Sequence, residues 1–111
     1  MSNVHIPESP WFSYRDGALT CEEVSLASVA EEVDTPAFVY SGGAIDEAYR
    51  SIDDALSFAP HLIAYAIKAN GNLSVLARLA SQGCGADIVS IGEMLRALKA
   101  GFSPDHIIYS G

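Results

Sequence analysis

The sequence predicts an α/β fold built around a parallel sheet, and two observations support that prediction. First, short apolar runs without polar alternation, such as residues 62–67, are typical of strands buried on both faces. Second, each run is followed by a segment whose apolar residues recur at helical spacing, and this strand–helix unit repeats along the chain. Repeated units of this kind indicate parallel strands joined by helices.

A small antiparallel element is predicted ahead of these units. Arg15-Asp16-Gly17 separates two short runs of β-forming residues, 12–14 and 18–21, and Asp-Gly between such runs is a β-hairpin signal. Residues 26–33 then show helical spacing, and Pro36 ends that segment because the residue before a proline is biased away from the helical region.

The strand–helix units occupy the rest of the chain. The predicted strands are residues 37–40, 62–67, 86–89 and 106–109, and the predicted helices are residues 45–56, 72–82 and 91–101. Asn72 is a candidate N-cap of the second of these helices, and Gly83 and Gly101 mark the ends of the second and third. Ser90 and Glu93 have the spacing of a capping box at the start of the last helix, whose Ile91, Met94, Leu95 and Leu98 are expected to face inward. No helix follows the last strand, so we expect the chain to be truncated.

One lysine stands at the end of a predicted strand, where it has no packing role. Lys68 follows the apolar run 62–67 and precedes the turn Asn70-Gly71-Asn72. In α/β folds the carboxyl edge of the sheet is where ligands bind. A lysine amine held there beside apolar neighbours loses hydration and can form a Schiff base with a carbonyl. The alternative is a lysine that extends into water, and position alone slightly favours that reading.

Composition excludes several classes of partner. With 14 acidic and 6 basic residues, the net charge of −8 argues against nucleic acid or an anionic membrane as a partner. Cys21 and Cys84 are far apart, and neither they nor the histidines have metal-ligand spacing, so we expect no disulfide framework and no metal site. No run approaches the length of a membrane span, and we expect a cytoplasmic protein.

Three segments together resemble the diaminopimelate decarboxylases, which are fold-type III enzymes dependent on pyridoxal phosphate. The segments are Tyr65-Ala66-Ile67-Lys68-Ala69-Asn70, Asn72-Leu73-Ser74-Val75-Leu76 and Gly85-Ala86-Asp87-Ile88-Val89-Ser90-Ile91-Gly92-Glu93. The resemblance implies the N-terminal portion of a (β/α)8 TIM-type barrel, incomplete in this chain, with part of an N-terminal β-domain. Residues 1–36 would be a tail and hairpin of the β-domain, and residues 37–111 the first βα units of the barrel.

The resemblance also implies an activity and a site. It implies decarboxylation of meso-2,6-diaminopimelate to L-lysine and CO2, with Lys68 holding pyridoxal phosphate and returning a proton. Asp87, near the same edge on the next strand, would bind the cofactor region and favour a protonated lysine nitrogen. An active-site role for Glu93 rests on the resemblance alone. The full-length enzyme would be a homodimer acting on a small amino acid, and we expect this chain by itself to be inactive and marginally folded.

Two alternatives remain open on the sequence. The lysine motif is shared with other fold-type III decarboxylases, which act on arginine, ornithine or carboxynorspermidine, so it indicates the cofactor better than the substrate. A catalytically silent regulatory relative would also keep this early segment. The residues that would hold the cofactor's phosphate and select the substrate are expected beyond Gly111.

Overall fold

The computed structural model describes residues 8–111, and it divides the chain into two compact units, one ending at Ala44 and the other formed by Ile45–Gly111. Residues 1–7 of the predicted tail, including His5, lie outside the described residues. The strands are β1 (Phe12–Arg15), β2 (Ala18–Cys21), β3 (Val24–Ser25), β4 (Ala64–Ala66), β5 (Gly85–Ile88) and β6 (Ile107–Tyr109). The helices are α1 (Leu26–Val33), α2 (Gly42–Ala55), α3 (Leu73–Ala80) and α4 (Ile91–Ala100), with short 3-10 turns at Ile67–Ala69 and Pro104–His106.

The first unit contains an antiparallel sheet in the order β1-β2-β3, and its hairpin is the predicted one. Asp16 and Gly17 both have positive φ, 51° and 79°, as the tight turn of a twisted hairpin requires. The sequence missed the two-residue strand β3, which pairs with the end of β2 and leads directly into the predicted helix α1.

The predicted strand at residues 37–40 is wrong. This segment belongs to no sheet among the described residues, and Phe38 is 90% exposed. The apolar run is β-rich, but a strand also needs a hydrogen-bonded neighbour, and no described segment pairs with it. The rings of Phe38 and Tyr40 stack on each other instead, with centroids 6.4 Å apart.

The second unit contains the predicted parallel sheet, in the order β4-β5-β6. The core lies on one face of this sheet, where Ala86 and Ile88 of β5 are buried beneath α3 and α4. Because side chains alternate along a strand, Gly85 and Asp87 point to the opposite face, away from the core that the helices of this unit pack against. The sheet therefore has one packed face and one open face.

Helix ends follow the predicted signals closely. The Asn72 side chain accepts hydrogen bonds from the backbone of Ser74 and Val75, at 2.9 and 3.2 Å, and so caps α3. Gly83 and Gly101 have φ of 89° and 104°, and they follow α3 and α4 in a conformation that most residues avoid.

The inward face predicted for α4 is largely wrong. Met94 packs against the core together with Ala97, but Ile91, Leu95 and Leu98 form an exposed apolar stripe. These three residues recur at helical spacing, so periodicity identified a face correctly but could not show that no described residue covers it. No helix among the described residues is both long enough and apolar enough to cross a membrane.

Candidate functional site

Lys68 lies just beyond the carboxyl end of β4, in the 3-10 turn Ile67–Ala69. The strand is shorter than the predicted run 62–67, since it begins two residues later and Ile67, the last residue of the run, belongs to the 3-10 turn. Ile67, the first residue of this turn, is buried in the core at 2% exposure and so anchors the turn. Lys68 was correctly predicted beyond the carboxyl end of this strand, although it follows the last strand residue by two positions and not by one.

The side chain of Lys68 is exposed, so the expectation that apolar neighbours remove its hydration is wrong for this chain. Ile67, directly before Lys68, is buried in the core, and the side chain of Asn70, two residues after Lys68, accepts from the backbone amide of Asn72. No described residue forms a hydrogen bond or an ion pair with Lys68. The Lys68 amine is therefore accessible to a ligand at this edge, and no described residue competes for it.

Asp87 lies on the neighbouring strand, at the same edge and on the open face of the sheet. In the parallel register Asp87 is paired with Ala66, two residues before Lys68. The carboxylate is half-buried and accepts a short hydrogen bond from the hydroxyl of Ser110. Among the described residues Asp87 forms no direct ion pair with Lys68. The two predicted site residues are thus neighbours in the sheet without being in contact.

Ser110 is the residue that sequence reasoning missed. It follows β6, and its backbone N–H donates to the carbonyl of Ile88 at 3.1 Å, which extends the ladder between β5 and β6. That hydrogen bond places the Ser110 hydroxyl beside Asp87. A polar residue directly after the third parallel strand was the available signal, because the carboxyl ends of parallel strands share one edge.

The turn at residues 70–72 does not offer its amides to a phosphate. The Asn70 side chain accepts from the Asn72 amide at 3.0 Å, and the Asn72 side chain occupies the amides of Ser74 and Val75. These are the donors through which a helix N-terminus would bind an anion. The turn therefore serves to support the backbone after Lys68.

Glu93 has the structural role that its spacing predicted, with one difference. Its backbone N–H donates to the Ser90 hydroxyl at 3.2 Å, as in a capping box. Its carboxylate reaches the amide of Val89 at 3.4 Å, one residue earlier than the pattern prescribes, and also the Ser90 hydroxyl at 3.4 Å. Glu93 thus closes the start of α4.

The other reactive side chains are engaged in packing or local contacts. The Cys84 thiol is buried and donates to the carbonyls of Ile63 and Gly85 at 3.3 and 3.2 Å, and burial raises its pKa. His61 contacts Asp53 and a backbone carbonyl. Residues 8–111 contain no cluster of three histidine, cysteine or acidic side chains that could hold a metal ion.

Comparison with known proteins gives a consistent result. Residues 42–111 match the family described as pyridoxal-dependent decarboxylase, pyridoxal binding domain. The chain is 51% identical over 100 residues to the diaminopimelate decarboxylase of Pseudomonas fluorescens, which covers 90% of this chain and 24% of that protein. The chain spans about a quarter of the length of the curated relatives it matches.

Solved structures agree with this match. A crystal structure of diaminopimelate decarboxylase from M. jannaschii has a TM-score of 0.85 at 31% identity, over 91% of this chain and 25% of that one. The Helicobacter pylori diaminopimelate decarboxylase complexed with L-lysine has a TM-score of 0.73 at 44% identity, over 77% of this chain and 22% of that one.

Proposed function

Because the chain belongs to the pyridoxal-dependent decarboxylase family and its residues 42–111 match the pyridoxal binding domain, we propose that the complete protein decarboxylates meso-2,6-diaminopimelate to L-lysine and CO2. The observation that carries this proposal is the similarity to diaminopimelate decarboxylases over nine-tenths of the chain, at up to 51% identity. The lysine bound to the Helicobacter pylori relative has the chemical structure of the product we propose.

The residues present fit pyridoxal phosphate as a covalently held cofactor. An aldehyde needs an accessible primary amine, and Lys68 supplies one that is exposed and has no partner among the described residues. Pyridoxal phosphate, when bound, supplies the electron sink that accepts the electrons left by departing CO2. The remaining steps depend on the protein's own side chains.

Lys68 has two roles in this proposal. Its Nζ would hold the cofactor through the aldehyde group, and the same amine would supply the proton that the α-carbon of the product takes up in place of CO2. Because the exposed side chain of Lys68 lies in a turn beyond the strand end, its amine is accessible for both roles.

Asp87 has a positional role in the same proposal. Its carboxylate, on the next strand and at the same edge of the sheet, would lie near the cofactor that Lys68 holds, and it forms no ion pair with Lys68 among the described residues. Ser110 holds one carboxylate oxygen and thereby limits the directions in which Asp87 can point.

We also propose that Ile45–Gly111 contributes early βα units to a (β/α)8 barrel, preceded by part of a β-domain. Support comes from the parallel sheet with helices on one face only, since the other face of a barrel sheet is filled by side chains from the remaining strands. The boundary between residues 36 and 37, the homodimer and the cytoplasmic location stay predictions from the resemblance and the composition.

One experiment tests the activity and the site together. The complete protein is loaded with pyridoxal phosphate and reduced with borohydride, and the modified peptide is mapped, with Lys68→Ala and Lys99→Ala compared in parallel. We expect the adduct on Lys68, its loss in Lys68→Ala alone, and CO2 release from labelled meso-diaminopimelate in the unmodified protein. An adduct on another lysine would refute the site, and preferential CO2 release from arginine or ornithine would refute the substrate.

A further inference from the structure

We propose that Arg96 is a positioning residue for Lys68: from α4 it holds the backbone of the turn that carries the lysine. This inference deepens the proposed function and rests on it for the role of Lys68. The contact itself stands on geometry. Arg96 Nη1 donates to the carbonyl oxygen of Gly71 at 3.0 Å, across 25 residues of sequence.

The amine of Lys68 has no side-chain contacts that would fix it. No described residue forms a hydrogen bond or ion pair with it, so the direction of the side chain depends on the backbone of residues 67–72. Whatever holds that backbone therefore sets where the amine can reach.

Residues 67–72 are fixed at both ends. At its start, Ile67 is buried in the core and its carbonyl accepts from the Asn70 amide at 3.1 Å. At its end, Asn72 caps α3. Between these two anchors the Gly71 carbonyl is held from outside the segment, by Arg96 of the following βα unit.

The chemistry of the contact suits a positioning role. A guanidinium donating to a neutral carbonyl forms a charge-assisted hydrogen bond, which is stronger than one between neutral groups. Among the described residues Arg96 has no carboxylate partner that would compete for it. The stem of Arg96 also lies along the turn, since its Cδ is 3.7 Å from the place where a Cβ on Gly71 would stand.

A direct consequence is that α4 and the Lys68 turn are coupled. The start of α4 is fixed by the Ser90 and Glu93 cap at the end of β5, the strand that carries Asp87. Arg96 therefore links the turn of Lys68 to α4, the helix that follows the strand of Asp87.

The test uses the complete protein and compares Arg96→Ala, Arg96→Lys and Lys99→Ala. Lys99 is the matched control, because it is an exposed cation on the same helix with no contact to the turn. Hydrogen exchange is measured without added cofactor, on peptides covering residues 67–72 and, as a reference for unfolding of the whole second unit, β6. Steady-state kcat and KM are then measured with pyridoxal phosphate and meso-diaminopimelate.

We expect exchange in residues 67–72 to be roughly 3- to 10-fold faster in Arg96→Ala, with β6 unchanged, and Lys99→Ala to match the wild type. We expect kcat to fall about 10-fold with KM little changed, since a small misplacement of a reacting group is costly. Arg96→Lys should recover part of both effects, because an ammonium can still donate to the Gly71 carbonyl.

Two results would overturn the proposal. Exchange in residues 67–72 that is equal in Arg96→Ala and Lys99→Ala would show that Arg96 does not hold the turn. Faster exchange with unchanged kcat would show that Lys68 does not depend on it. Failure of the proposed function is a separate outcome, seen as a borohydride adduct on a residue other than Lys68, and the exchange comparison stays valid in that case. If Arg96→Ala speeds exchange in β6 as well, the two increases are compared, and an equal increase in β6 and in residues 67–72 would also overturn the proposal.

Discussion

Arg78 and Asp46 form a two-point ion pair that ties α3 to α2. Nε and Nη2 of the guanidinium donate to the two carboxylate oxygens at 2.9 and 2.8 Å. Gln82 adds a third hydrogen bond to the same carboxylate at 2.9 Å, and the Arg50 guanidinium is 3.7 Å away. Asp46 is only 17% exposed, so one carboxylate joins two helices that pack on the same core.

Replacing Asp46 with asparagine should destabilise the protein in a pH-dependent way. The hydrogen bonds from Arg78, and then its charge, hold the pKa of Asp46 below its usual range. The resulting stability is present above the unfolded-state pKa of about 3.9 and is lost as pH falls through the lower folded-state pKa. Because Arg78 is half-exposed, we expect Asp46→Asn to lower the free energy of unfolding by about 1 kcal/mol at neutral pH.

Urea unfolding of the 111-residue chain, at neutral pH and again in acid, measures this effect. The difference between wild type and Asp46→Asn should shrink as the pH falls below the folded-state pKa. Arg50→Ala is the control, since its 3.7 Å contact is longer and more exposed, and it should change stability little. An equal loss at both pH values would assign the effect to packing and not to charge.

His61 should titrate above the ordinary range of histidine. Its Nδ1 faces the Ala59 carbonyl at 2.9 Å and its Nε2 faces Asp53 at 2.6 Å, so both ring nitrogens meet acceptors and only the imidazolium satisfies both. The Ala59 carbonyl and then Asp53 raise the pKa of His61. Its contribution to stability is full below the unfolded-state pKa of about 6.5 and is lost as pH rises through the folded-state pKa.

NMR titration of the His61 ring tests this assignment. Asp53→Asn should move the ring's titration back toward the ordinary value, because it removes the charged acceptor. His106→Gln should leave the His61 titration unchanged. A His61 curve that is unaffected by Asp53→Asn would contradict the pairing.

Elements with local signals could be predicted from the sequence. The hairpin turn depends only on Asp16 and Gly17, and the cap of α3 only on Asn72 and the amides that follow it. The position of Lys68 at the carboxyl edge also follows from a local apolar run and the turn after it. In each case the deciding interaction lies within a few residues of the signal.

Features that depend on distant partners could not be predicted. Residues 37–40 look like a strand, but a strand requires a neighbour that no local pattern supplies. The contacts from Ser110 to Asp87 and from Arg96 to Gly71 join residues 23 and 25 positions apart. Such contacts become visible only when the parallel register is known, so the sequence could predict that Lys68 and Asp87 lie at the same edge of the sheet but not which distant residues contact that edge.

Removing the cap of α3 should weaken the helix that follows Lys68. Asn72→Ala leaves the amides of Ser74 and Val75 without their side-chain acceptor, and such losses cost about 1 kcal/mol. Asn72→Asp keeps the acceptor oxygen and should stay close to the wild type. Urea unfolding distinguishes the two variants, and equal destabilisation by both would contradict a capping role.

The exposed stripe on α4 should make the 111-residue chain associate with itself. Ile91, Leu95 and Leu98 form a continuous apolar face, and Leu95 is 59% exposed. Leu95→Lys places a charge in the middle of this stripe without touching the core, so we expect the variant to be more monomeric while remaining folded. Ile52→Lys on α2 is the control, because Ile52 is exposed to a similar degree, at 51%, away from the stripe. Sedimentation velocity over a range of concentrations gives the oligomeric state. Association that persists in Leu95→Lys but disappears in Ile52→Lys would place the interacting surface on α2 instead.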